Sequence, residues 1–128
     1  MARILVIDDE ESVRKAICRV LHARGHDVAE ASDGRKGLAL FEKNPADVVI
    51  TDIVMPEMDG LQAIREFRKI APKVKIIAIS GDERFVSQDY LAFAQKLGAD
   101  LTIRKPFRNR KLLDAVNHLC RADASRAE

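Results

Sequence analysis

Short apolar runs alternate with longer stretches of helical periodicity five times along this chain. The strand-like runs fall near 3–8, 27–31, 47–52, 74–80 and 100–104, and helical spacing near 10–24, 34–43, 60–71, 85–97 and 107–120. Val13, Ile17, Val20 and Leu21 share one face of the first helical stretch; Leu112, Leu113, Val116, Leu119 and Cys120 share one face of the last. Gly25, Asn44-Pro45, Ala71-Pro72 and Gly98 stand where these helices should stop. The pattern predicts an α/β domain built on a parallel sheet, with helices as the crossovers.

Strand character also suggests an order. The first, third and fourth runs are almost continuously apolar, as strands covered on both faces should be. Asp27–Ala31 and 100–104 carry interspersed polar residues and suit the two edges. With right-handed crossovers, the order 2-1-3-4-5 of a flavodoxin-like three-layer sandwich satisfies both conditions, although the pattern does not select it uniquely. The domain is expected over 1–120, with 121–128 a short polar tail or the start of a linker.

Four of the runs end in side chains that can handle phosphate. Ile4-Leu5-Val6-Ile7 leads into Asp8-Asp9, Val48-Val49-Ile50-Thr51 into Asp52, Ile76-Ile77-Ala78-Ile79 into Ser80, and Leu101-Thr102-Ile103-Arg104 into Lys105-Pro106. In a parallel sheet all four ends lie on the carboxyl edge, where open α/β sheets bind ligands. Three carboxylates there repel strongly, each pair at ~4 Å costing about 4 kcal/mol at an effective dielectric near 20. Lys105 offsets one charge of three, and a divalent cation would close the deficit. An all-oxygen set with no neighbouring His or Cys points to magnesium, with manganese or calcium as substitutes. Taken alone, Asp8-Asp9 reads sooner as capping of the first helix, Lys105 sooner as a surface lysine and Ser80 sooner as a strand end. Asp52 resists such a reading because Ile53, Val54 and Met55 follow it.

Bulk properties narrow the class. A chain of 128 residues with 47% hydrophobic content has the size of one domain. Net charge is +2, from 22 basic and 20 acidic residues, too balanced to argue for nucleic acid as a partner. Apolar stretches are far shorter than the ~20 residues of a membrane span, and Met1-Ala2-Arg3 leads straight into a strand-like run, so a cytoplasmic location is expected. Cys18 and Cys120 lack metal-ligand spacing and read as ordinary thiols, with a disulfide as the minor alternative.

The strings Val6-Ile7-Asp8-Asp9-Glu10, Asp52-Ile53-Val54-Met55-Pro56-Glu57-Met58-Asp59-Gly60, Ile79-Ser80-Gly81 and Lys105-Pro106-Phe107 occur in this order on the five-fold pattern. From about Arg3 to Cys120 the chain resembles a response-regulator receiver domain of the single-domain chemotaxis and phosphorelay type. The resemblance implies that Asp52 accepts a phosphoryl group from a histidine kinase or phosphotransfer protein. It implies a Mg2+ shell of Asp8, Asp9, Asp52 and the Val54 backbone carbonyl. Lys105 and Ser80 would hold phosphoryl oxygens, and the Lys105-Pro106 bond would be cis. A downstream protein would dock on the fourth helix, fifth strand and fifth helix. The domain would promote only its own phosphorylation and dephosphorylation, with no separate enzymatic substrate.

The chain also departs from that pattern. Thr102 stands where an aromatic switch residue is usual, so coupling is expected through Ser80 and the fourth helix, which holds Tyr90. The stretch 81–97 is a few residues longer than usual and suggests a partner surface. Arg104, Arg108, Arg110 and Lys111 read as a solvated helix start. Val54 and Asp82 flank the acceptor region, and an apolar Val54 predicts slow autodephosphorylation. A receiver fold kept only for docking is one alternative. An aspartate phosphohydrolase is another, although it would want Asp-x-Asp after the first strand. A flavin binder would want Ser, Thr or Gly in the first loop, where Asp8-Asp9-Glu10-Glu11 stands.

Overall fold

A computed structural model of the chain describes residues 2–53, 60–80 and 88–127. Its elements alternate as expected: β1 (Arg3–Ile7), α1 (Glu11–Ala23), β2 (Asp27–Ala31), α2 (Gly34–Lys43), β3 (Val48–Asp52), α3 (Gly60–Ile70), β4 (Lys75–Ser80), α4 (Gln88–Leu97), β5 (Leu101–Arg104) and α5 (Asn109–Ala127). All strand pairs are parallel, and the sheet order is β2-β1-β3-β4-β5. Every residue of β3 and β4 is buried, as is β1 after Arg3, whereas β2 and β5 are partly exposed. The apolar and mixed runs therefore occupy the central and edge positions that their composition suggested.

Strand alternation splits the core into two layers. Ile4, Val6, Val48, Ile50, Ile77 and Ile79 pack with Ile17 and Leu21 of α1 and with Leu112 and Val116 of α5. Leu5, Ile7, Val49, Ile76 and Ala78 point the other way, onto Phe41 of α2, Ile64 and Phe67 of α3, and Ala94 of α4. The Phe41 and Phe67 rings meet edge-on, with centroids 5.2 Å apart. Gly37 lets α2 lie close on β1, because a Cβ there would collide with the Ile7 side chain.

Helix ends follow local chemistry. The Asp33 carboxylate caps α2 by accepting from the Lys36 amide at 2.8 Å. Gly25 and Gly98 take positive φ (87° and 128°) after α1 and α4. The last helix differs from expectation: it continues past residue 120 to Ala127, through the segment read as a polar tail. The fourth helix is described from Gln88, and the expected start near 85 lies outside the described residues, as do Val54 to Asp59 and Gly81 to Ser87. Among the described residues, no helix is long and apolar enough to cross a membrane.

The amino edge of the sheet, opposite the acid residues, is tied by Arg68 of α3. Its guanidinium donates to the Gly98 carbonyl (2.7 and 3.0 Å), to the Pro72 carbonyl (3.0 Å) and to the Val74 carbonyl. It also pairs at 2.8 Å with Asp100 Oδ2, which accepts in turn from the Ile76 amide at 2.8 Å. Arg68→Ala leaves these acceptors without their donor and should cost about 2–3 kcal/mol of stability. Urea unfolding should show a lower midpoint with an unchanged slope. Phosphoryl uptake per folded molecule should not change, because Arg68 lies at the far edge from the acid residues.

Candidate metal and phosphoryl site

The carboxyl edge gathers the residues singled out from the sequence. Asp8 follows β1, Asp52 ends β3, Ser80 ends β4 and Lys105 follows β5. The pairing Asp52↔Ile79 and Ser80↔Arg104 brings three strand ends level. The Lys105 amide donates to the Ser80 carbonyl at 2.8 Å, and the Lys105-Pro106 peptide is cis. From there the Lys105 ammonium reaches back over the edge to Asp8 Oδ2 at 2.9 Å and Asp52 Oδ2 at 3.1 Å. Asp8 and Asp52 are almost fully buried, at 1% and 4% exposure.

Asp9 is exposed, yet one oxygen from each of the Asp8, Asp9 and Asp52 carboxylates lies within 4.8 Å of the others. Ser80 is buried at the adjacent strand end. Val54 lies outside the described residues, and so does Asp82. Thr102 sits half-buried in β5, paired with Ala78. The basic residues Arg104, Arg108, Arg110 and Lys111 are all exposed, as a solvated helix start should be.

Burial favours the neutral form of the Lys105 amine, but the hydrogen bond to Asp8 and the charges of Asp52 and Asp8 outweigh it. Its pKa is raised from the ordinary 10.5. The ammonium is therefore charged at neutral pH, one positive charge beside three carboxyl groups. This donor set fits a hard divalent cation: oxygen ligands, excess negative charge and mutual reach.

Asp8 also takes a local role in the turn before α1, although it does not cap that helix, whose N-cap residue is Glu10 with no side-chain cap hydrogen bond. Asp8 Oδ1 accepts from the Glu10 amide at 2.9 Å, just ahead of α1. Two features of the site escaped the sequence reading. Arg14, one turn into α1, donates from Nη1 to the Asp8 carbonyl at 2.9 Å and from Nε to Glu30 of β2 at 2.8 Å. Linearly these three residues are unconnected; they meet because β2 pairs with β1. The second is a groove of about 520 Å³ between α1 and the start of α5, with Val13, Ile17 and Leu112 on its walls and Lys105 at its rim.

A flavodoxin-like α/β fold with an acidic pocket that can hold a metal ion defines the class. Residues 4–117 match the family model described as response regulator receiver domain, and the chain belongs to that family. It is 36% identical over 118 residues to the chemotaxis protein CheY of Thermotoga maritima, covering 90% of this chain and 94% of that protein. It is 38% identical over 123 residues to the sensor kinase CckA of Brucella abortus, covering 92% of this chain but 12% of the kinase. A crystal structure of a response regulator receiver domain protein from Clostridium thermocellum superposes with a TM-score of 0.88 at 36% identity, covering 97% of this chain and 98% of that one.

The chain is thus a receiver of two-component phosphorelay signalling. Receivers work with histidine kinases and downstream effector domains, and they are generally not enzymes in their own right.

Proposed function

We propose that Asp52 accepts a phosphoryl group from a histidine kinase or histidine phosphotransfer protein in a Mg2+-dependent reaction. The bridging of Asp8 and Asp52 by the Lys105 ammonium, with Asp9 alongside, carries this reading. An Asp52 oxygen forms the new bond to phosphorus as the donor's N–P bond breaks; the electron pair stays on the donor imidazole, which takes up a proton. Lys105 exchanges one carboxylate contact for a phosphoryl oxygen, and the Ser80 hydroxyl donates to another. Asp8, Asp9, Asp52 and the Val54 carbonyl are the residues assigned to the metal. When bound, the metal supplies charge neutralisation and orientation, which make up most of what phosphoryl transfer requires.

Phosphorylation adds charge and strong acceptors next to Ser80. The output surface is assigned to α4, β5 and α5, the first of which comes after Ser80 while the other two flank Lys105. Residues 121–128 serve as a tail or as the start of a linker, now helical to Ala127. A cytoplasmic setting goes with the kinase donor. Acetyl phosphate with Mg2+ should add one phosphoryl group by intact mass, and EDTA should abolish the addition. Addition that is indifferent to EDTA overturns the metal assignment. No addition from any donor favours a docking scaffold.

A further inference from the structure

Four polar atoms of Asp8 are held. Its amide donates to the Ala31 carbonyl of β2 at 3.2 Å, Oδ1 accepts from Glu10, Oδ2 accepts from Lys105, and its carbonyl accepts from Arg14. Arg14 is itself aimed. Its side chain is 13% exposed and its Nε is fixed by Glu30, which lies on the neighbouring strand and also takes the Lys15 ammonium at 3.1 Å. The hydrogen bond from Arg14 keeps the Glu30 carboxyl below its ordinary range, so the partner is ionised at neutral pH.

We propose that Arg14 and Glu30 form a positioning pair that sets the divalent-cation affinity of the Asp8–Asp9 turn. The proposal rests on the metal reading above and adds what controls it. Holding the Asp8 carbonyl fixes the peptide between Asp8 and Asp9, and with it the direction of both carboxylates. Glu30 has a second effect. It keeps a guanidinium that already touches Asp8 from swinging onto a carboxylate, where a charge-assisted pair would compete with the cation. The two residues therefore act as a unit. Groups that orient metal ligands in this way typically change affinity by ten- to a hundredfold.

The test follows the amides of Asp8, Asp9 and Glu10 by NMR during Mg2+ titration without any phosphodonor. Arg14→Ala should raise the Kd by about tenfold. Glu30→Gln, a milder change at a half-exposed position, should raise it as well. The double variant should be no weaker than Arg14→Ala alone, because a guanidinium that is absent cannot compete. Arg14→Lys should fall between, since an ammonium lacks the fork that spans both acceptors. Affinities within twofold of the parent, accompanied only by a lower melting temperature, would reduce the pair to a structural tie and overturn the proposal. If the parent shows no Mg2+-dependent shift, the metal reading falls and the proposal with it. That outcome is distinct from a parent that binds and variants that bind equally.

Discussion

Asp52→Asn should remain folded and take up no phosphoryl group from acetyl phosphate or from a phosphohistidine donor. An amide has the shape of the carboxylate but no anionic oxygen to offer to phosphorus. Asp52 is buried at the end of a fully buried strand, so an isosteric replacement keeps the packing of β3. Lys105 retains Asp8 at 2.9 Å and is not stranded. Removing one of three mutually repelling carboxylates also relieves repulsion, so the melting temperature should change little. One carboxyl group of three is lost, and Mg2+ should bind more weakly. Intact mass after incubation reads the first effect, and NMR titration reads the last. Residual addition would mean that Asp8 or Asp9 accepts instead.

Lys105→Met should have the second-largest effect and should act in three directions. The ammonium is 12% exposed and bridges two carboxylates that are more buried still. Deleting it removes the cation shared by two buried carboxyl groups, and breaking a buried ion pair typically costs about 3–5 kcal/mol. The cost should be largest in EDTA and partly recovered by Mg2+, because the cation then takes over the missing charge. For the same reason Mg2+ affinity should rise. Phosphoryl uptake should nevertheless fall by about a hundred- to a thousandfold, the usual cost of removing one donor aimed at developing charge. Thermal melts with and without Mg2+, and single-turnover uptake at saturating Mg2+, separate the three. Uptake at the parental rate would exclude Lys105 from contact with the phosphoryl group.

Much of this was legible in linear order. Uninterrupted runs such as Val48-Val49-Ile50-Thr51 announce central strands, because only a strand covered on both faces tolerates such composition. The polar residues in Asp27-Val28-Ala29-Glu30-Ala31 place that strand at an edge, and β2 lies there. The acid residues and Lys105 were found as side chains terminating strands, and the parallel sheet brings them together. The end of α5 was not legible. Residues 121–127 carry alanine and charged side chains with good helix propensity but no apolar stripe, so hydrophobic periodicity is silent there. The role of Arg14 was hidden for another reason. Its partners are a backbone carbonyl six residues earlier and a carboxylate sixteen residues later, a relation that exists only once β2 has paired with β1.

Val54 and the residues from Gly81 to Ser87 lie outside the described residues, so the expectations placed on them rest on sequence. Slow autodephosphorylation from an apolar Val54 is one of these. The partner surface expected of the stretch 81–97 is another, as far as its residues 81–87 are concerned.

Reductive trapping tests the central claim most directly. The chain is phosphorylated with acetyl phosphate and Mg2+, reduced with borohydride to convert an aspartyl phosphate into homoserine, and mapped by peptide mass spectrometry. The account predicts homoserine at position 52 alone. Homoserine at position 8 or 9, or a phosphorylated chain that yields no homoserine, would contradict it.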